Sequence, residues 1–319
     1  MTEAMLLAAG EGRRLFPITS FLPKPLFPIL GKPLLEHIIQ LLKQQGITKV
    51  CINVHYLKED IIDFLKENEF GIEIELSIEE NILGTGGGIG RMRKYIKSDD
   101  FLVYNSDIVT DIALKEGWTF HKENNATATL MLAKRKHSKD VLVSGDERII
   151  DIAGKLNRDG KDFFGFTGIA ILNRKIFDFL PEREFYNVAD AYAELIKADK
   201  RIFGFICQGN YWLDIGTKKN YLQVHRDILF NKRDILHHFF KPEKPFFIGK
   251  DSVVSTNAKL SGFVSIGKNC IIGLNVGLEN CVVFDNTVID DGKAYKDCII
   301  SNDFKVCLHT NKPKDENQN

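Results

Sequence analysis

The sequence has no apolar run of the length a membrane-spanning helix needs. Its start enters a strand-like segment without the basic and apolar sections of a signal peptide, so a cytoplasmic protein is expected. Cys51, Cys207, Cys270, Cys281, Cys298 and Cys307 are scattered, with no C-x-x-C pair. Reduced, mostly buried thiols are therefore expected, and zinc is not. Neither sign of charge is in excess, since 43 Lys and Arg balance 43 Asp and Glu. That balance speaks against a broad nucleic-acid footprint. A P-loop run is missing, and the pattern G-x-G-x-x-G fails at Leu15.

What is present begins at the N-terminus. Ala4 to Ala8 reads as a buried first strand that empties into Gly10-Glu-Gly12. Glycines there free the backbone for close approach to phosphates. Arg13 and Arg14 follow at once, and Lys24 stands between two prolines. This combination suits a polyphosphate.

The first two thirds alternate strand and helix. Helices are expected over 31–44, 58–67 and 86–95, and strands over 49–54, 72–78 and 101–104. The pattern predicts an α/β fold with a Rossmann-like, mostly parallel sheet. Ligands of such sheets bind outside the carboxyl ends of the strands. Gly10, Glu79 and Asp107 follow predicted strands and should converge there. Strands dominate from Ala126 to Ile206, and a helix over 220–231 closes the domain.

Beyond Lys241-Pro-Glu-Lys-Pro245 the period changes. Ile248, Val254, Leu260, Ile266, Ile272, Leu278 and Phe284 recur at every sixth residue. Ser252, Ala258, Val264, Cys270, Val276, Val282 and Val288 form a second series, continued by Ala294 and Ile300. Aliphatic and small residues at this period mark a hexapeptide-repeat parallel β-helix. At three hexads per coil, the stretch makes about three coils. The division expected is a catalytic domain over 1–231, a linker over 232–245, a β-helix over 246–302 and a frayed polar tail over 303–319. No histidine falls inside the repeat, so a second acyltransfer activity is not expected, and the β-helix reads as a dimerisation or regulatory element.

The N-terminal stretch resembles the signature G-x-G-T-R-L/M-x-P of the sugar-nucleotide pyrophosphorylases, followed by their P-K element; Arg13 stands in place of the family's threonine. Glu79-Glu-Asn-Ile-Leu-Gly84-Thr85 resembles the E-x-x-P-L-G-T loop of mannose-1-phosphate guanylyltransferases and N-acetylmuramate-1-phosphate uridylyltransferases. Asn105-Ser-Asp107 resembles N-G-D, and Trp212-Leu-Asp214-Ile-Gly-Thr217 resembles W-x-D-V/I-G-T. The repeat resembles the left-handed β-helix that many pyrophosphorylases carry. The resemblance implies nucleotidyl transfer between an NTP and a sugar-1-phosphate with Mg²⁺ as cofactor. GTP and mannose-1-phosphate are favoured, while uracil and other sugars remain open. It implies catalytic roles for Arg14, Lys24, Asp107 and Asp214, with Asp107 and Asp214 as metal ligands. Ala8, Ala9, Gly10, Gly12, Arg13, Glu79, Gly84 and Thr85 would bind the nucleotide, with Glu79 accepting from a base N–H. Asn105, Gly168, Lys155 and Asp190 would meet the sugar phosphate. Asp190 also suits the start of a helix, and a silent regulatory subunit is the rival reading. A homo-oligomer, joined through the β-helix, is the expected assembly.

Overall fold

The computed structural model describes residues 2–134, 140–231, 233, 235 and 244–308. Most of the expected linker and residues 309–319 of the expected tail lie outside this range. The chain forms two compact units. The first is Met1–Gly12, Leu22–Leu26 and Leu34–Leu213; the second is Arg13–Phe21, Phe27–Pro33 and Asp214–Asn319.

The first unit is built on a nine-stranded mixed sheet. Strands β1 (Glu3–Leu7), β2 (Lys49–Val54), β3 (Glu73–Ile78) and β4 (Asp100–Asn105) run parallel in the order β3-β2-β1-β4. β1, β2 and β4 are buried along nearly their whole length, as a sheet covered by helices requires, whereas β3 alternates Glu73, Glu75 and Ser77 with Ile74, Leu76 and Ile78. Helix α1 (Leu34–Gln44) joins β1 to β2 and buries Leu34, Leu35, Ile38, Ile39 and Leu42. Helix α2 (Lys58–Glu67) joins β2 to β3. Beyond β4 the long strand Phe163–Asn173 runs antiparallel and starts the mixed half of the sheet. The core beneath is continuous, from Met5 and Ile89 through Phe101 to Leu172 and Tyr192. Phe101 stacks on Phe177 with ring centroids 5.4 Å apart. Deleting such a ring costs about 3–5 kcal/mol.

Helix α3 (Gly84–Arg91) explains its own glycines. A Cβ at Gly87 or Gly90 would meet the carbonyl oxygens of Glu184 or Pro181 at 2.3 and 2.0 Å. The glycine run therefore lets the backbone of residues 181–188 lie directly on the helix. The N–H groups of Gly86 and Gly87 donate to the Tyr186 carbonyl at 2.8 and 3.3 Å. The protein itself thus caps this helix start.

In the second unit, parallel strands stack in coils. Phe246 pairs with Val264 and Val253 with Ile271, 18 residues apart, as three hexads predict. The next step is shorter: Val264 pairs with Cys281 and Ile271 with Val288, 17 residues apart, after an irregularity between Ser261 and Val264. A slip of one residue exchanges the two faces of a strand. Past the slip, Val288 of the second series is 52% exposed, while its neighbours Thr287 and Ile289 are buried. The final strand, Lys305–Cys307, pairs antiparallel with Cys298–Ile300, and a disulfide joins Cys298 to Cys307. This corrects two expectations. Residues 305–307 form a strand where a frayed tail is expected, and two of the six cysteines are bonded rather than reduced. Cys51, Cys207, Cys270 and Cys281 are free and buried as expected.

Helix α4 (Lys218–Leu229) packs on the repeat strands, as do two pieces of the N-terminal signature. The Phe27 ring lies 5.3 Å from Tyr221 and 5.9 Å from Phe284. Phe304 lies 5.3 Å from Phe284 and 5.7 Å from Phe21. The Tyr221 hydroxyl donates to the Pro28 carbonyl at 2.6 Å. Compactness thus divides the chain differently from the sequence, which assigns residues 13–21, 27–33 and 214–231 to the catalytic domain.

Candidate active site

Leu7, Asn53, Ser77 and Asn105 stand in register across the four parallel strands. All four strands end at that edge, so the segments that follow them are gathered there. A cavity of about 200 Å³ opens among them in the first unit. Ala8, Ala9 and Gly10 form one wall; Ile82, Gly84 and Thr85 form another. Leu7, Lys24, Pro25, Asn53, Asn105, Ser106 and Asp107 complete the lining.

Lys24 begins a short 3-10 turn between its two prolines. Its Nζ lies 2.6 Å from Asp107 Oδ2, with each side chain 15% exposed. The Asp107 carboxylate, after burial itself, helps hold the Tyr104 phenol above its ordinary range. Ser106, where the resemblance expects glycine, turns its hydroxyl into the wall and donates to the Leu7 carbonyl at 2.7 Å. Gly168 has φ of 80°, and a Cβ there would lie 2.6 Å from Asn105 Nδ2. Only glycine lets the Asn105 amide cross this strand.

Glu79 is 1% exposed, and both of its carboxylate oxygens have partners inside the protein. Oε1 accepts from Asn53 Nδ2 at 2.7 Å, and Oε2 accepts from the Leu83 N–H at 3.0 Å. Thr85 Oγ1 accepts from the Val188 N–H at 3.1 Å. Sequence reasoning missed Asn53, which looks there like one more residue of a strand. The available signal was a polar residue at the carboxyl end of an otherwise apolar parallel strand.

Arg13, Arg14 and Asp214 belong to the second unit. Asp214 Oδ1 accepts from the Gly216 N–H at 3.1 Å, and Thr217 caps α4 by accepting from the Asn220 N–H at 3.1 Å. A Cβ at Gly216 would lie 2.5 Å from an Arg14 guanidinium nitrogen and 2.8 Å from Asp214 Oδ1. Arg14 and Asp214 therefore flank one glycine. Trp212 Nε1 donates to the Thr167 carbonyl at 2.6 Å, which fixes the start of this motif.

Lys155 and Asp190 form an ion pair at 2.5 Å, with side chains 32% and 41% exposed. Asp190 also lies in the first turn of its helix, where a carboxylate is favourable. Asp111 Oδ1 accepts from the Tyr211 N–H at 2.7 Å, a turn-binding role.

A larger cavity, about 610 Å³, lies at the opposite end of β4, where Asp100 begins the strand. There Asp100 accepts hydrogen bonds from Lys122, from His121 at 3.3 Å and from Asn173 at 2.6 Å. Burial holds His121 below its ordinary pKa, against the pull of Asp100. These groups satisfy one another, which makes the cluster a structural network.

An α/β sheet with a glycine cradle, a lysine and an aspartate at its carboxyl edge defines a phosphate-handling, nucleotide-binding class of protein. Residues 3–231 match the family described as Nucleotidyl transferase, and residues 243–309 match the GMPPB C-terminal domain. The chain belongs to the nucleotidyl transferase family. It is 30% identical to a mannose-1-phosphate guanyltransferase of Gibberella zeae, over 93% of this chain and 85% of that one. It is 27% identical to a UTP–glucose-1-phosphate uridylyltransferase of Synechocystis sp., over 93% of this chain and 87% of the relative. Among solved structures it resembles HddC from Yersinia pseudotuberculosis, with a TM-score of 0.59 and 25% identity, over 70% of this chain and 98% of that one. The chain is thus a sugar-1-phosphate nucleotidyltransferase by family. Among the described residues no helix is long and apolar enough to cross a membrane.

Proposed function

We propose that this protein makes an NDP-sugar and pyrophosphate from an NTP and a sugar-1-phosphate, with GTP and mannose-1-phosphate as the pair. The observation that carries the reaction class is the meeting of Lys24 and Asp107 beside the Ala8–Gly10 cradle in one cavity. The choice of pair is supported by the 30% identity to the Gibberella guanyltransferase over most of both chains.

In this reading the cradle N–H groups and Gly12 admit the triphosphate, and Arg14 clamps it as a planar fork of donors. Arg13 adds a second cation beside it. Lys24 holds the attacking sugar phosphate against the α-phosphate, and Asn105 with Gly168 faces the sugar. Lys155 and Asp190 bound the sugar side. The work is positioning and charge neutralisation, as phosphoryl chemistry requires.

Among the described residues no cluster of three or more His, Cys, Asp or Glu could hold a metal ion. Mg²⁺ needs less, because it combines one or two carboxylates with substrate phosphates and water. Asp107 and Asp214 offer that donor chemistry and would hold the ion. Bound there, Mg²⁺ would supply charge neutralisation at the phosphates.

The test is pyrophosphate release with Mg²⁺ across a panel of NTPs and sugar-1-phosphates. Turnover is expected, fastest with GTP and mannose-1-phosphate, and lost with EDTA. Preference for UTP would move the assignment to the uridylyltransferases. No turnover with any pair would leave a silent regulatory subunit.

A further inference from the structure

We propose that a second cavity of the first unit binds a phosphorylated sugar as an effector, and that this raises the affinity for NTP through a loop the two cavities share. The inference rests on the assignment of the Ala8–Gly10 cavity to an NTP. The second cavity holds about 400 Å³. Its lining comes from three places: Glu80, Asn81 and Leu83 in the loop after β3, Arg91 and Lys94 at the end of α3 and just past it, and Glu182 with Arg183. The loop serves both cavities. Ile82, Gly84 and Thr85 line the first, while Glu80, Asn81 and Leu83 line the second. A ligand in either cavity therefore rests on the same stretch, residues 80–85.

The charges of this cavity are unevenly matched. Arg91, Lys94 and Arg183 line it, and none of the three forms an ion pair among the described residues. Of its two carboxylates, Glu182 already meets Arg93 Nε at 3.7 Å, and Arg93 also pairs with Asp178 at 3.2 Å. That leaves Glu80, which is exposed, against three cations. Two guanidinium forks and an ammonium suit phosphate oxygens. Glu80 and Asn81 can take the hydroxyls of an attached sugar. The path to the first cavity is hydrogen-bonded. The Tyr186 N–H donates to the Leu83 carbonyl at 2.9 Å, and the Val188 N–H donates to Thr85 Oγ1 at 3.1 Å. The segment that carries Arg183 thus holds the shared loop at two points. An anion bound by both Arg183 and Arg91 would fasten that segment to α3. The Gly84–Thr85 wall is then ordered before NTP arrives, and pre-ordering raises affinity.

The experiment is calorimetric titration of the whole protein with GTP in Mg²⁺, with and without glucose-1,6-bisphosphate, at constant ionic strength. The bisphosphate should lower the Kd for GTP about fivefold, and GTP should lower the Kd for the bisphosphate by the same factor, because coupling is reciprocal. Arg91→Gln and Arg183→Gln should each weaken bisphosphate binding about tenfold and abolish the coupling. Their Kd for GTP alone should stay within about twofold of wild type. Lys94→Gln, at an exposed side chain, serves if Arg91→Gln fails to fold. A GTP affinity that is unchanged or weakened by the bisphosphate would overturn the proposal, and so would a gain that survives in both arginine variants. An equal gain with inorganic phosphate would overturn the assignment to a phosphorylated sugar. If wild type binds no NTP, the proposed function falls instead; bisphosphate binding that weakens in Arg183→Gln would then keep the second site and remove only its coupling.

Discussion

Lys24 Nζ and Asp107 Oδ2 lie 2.6 Å apart, so the cation and the anion of the cavity neutralise each other. In the proposed function an arriving phosphate would compete with Asp107 for the lysine, and a cation would compete with Lys24 for the carboxylate. Lys24→Met and Asp107→Asn should each lower kcat by at least about a hundredfold. The double variant should lose little more than either single one, because the two groups act as a unit. Steady-state kinetics on the three variants checks this, and near-normal turnover in Asp107→Asn would remove it from the catalytic set.

His225 on α4 is fully buried, and neither ring nitrogen has a hydrogen-bond partner among the described residues. Burial lowers its pKa to about 3 from an ordinary 6.5. The unfolded chain therefore takes up a proton that the folded chain refuses, and stability falls as pH drops from about 6.5 toward about 3. At neutral pH the ring costs only its unsatisfied N–H, about 1–3 kcal/mol. His225→Leu should match or exceed wild type in Tm at pH 7, and its advantage should widen at pH 5. A Tm gap that does not change between the two would contradict the burial argument.

Gly168→Ala should act on the sugar side. It forces a side chain into a positive-φ position, at a cost of about 1–3 kcal/mol, and pushes Asn105 aside. The KM for the sugar-1-phosphate should rise more than the KM for the NTP. Equal effects on both would place Asn105 elsewhere in the reaction.

Thiol counting tests the repeat. Under non-reducing, denaturing conditions Cys51, Cys207, Cys270 and Cys281 should alkylate, while Cys298 and Cys307 should label only after reduction. In the folded protein even the free thiols should resist, because burial pushes Cys51 and Cys207 up to about 12 and Cys281 up to about 11. Six labelled thiols without reductant would show that the terminal hairpin is not cross-linked.

Much of the fold was legible because local patterns decided it. The strand at 49–54 and the helix at 58–67 have their predicted bounds, since apolar periodicity and packing agree there. The six-residue period was legible for the same reason, but the slip near Gly262 was not. One missing residue per coil leaves the composition unchanged and only register reveals it. The cradle, Lys24 and Asp107 were legible because strand ends in a parallel sheet share an edge. Asn53 was not, because its meaning lies in bonds to residues 45 positions before it and 26 after it. The Cys298–Cys307 link was hidden because a hairpin closes the repeat where fraying was expected.

Arg13–Phe21 and Phe27–Pro33 pack with residues beyond Asp214, through Phe27 on Phe284 and Phe21 on Phe304. Phe27 and Phe284, like Phe21 and Phe304, stand far apart in sequence, and contacts so distant form late. A chain ending before Asp214 would keep the residues of the sheet and lose what these two segments pack against.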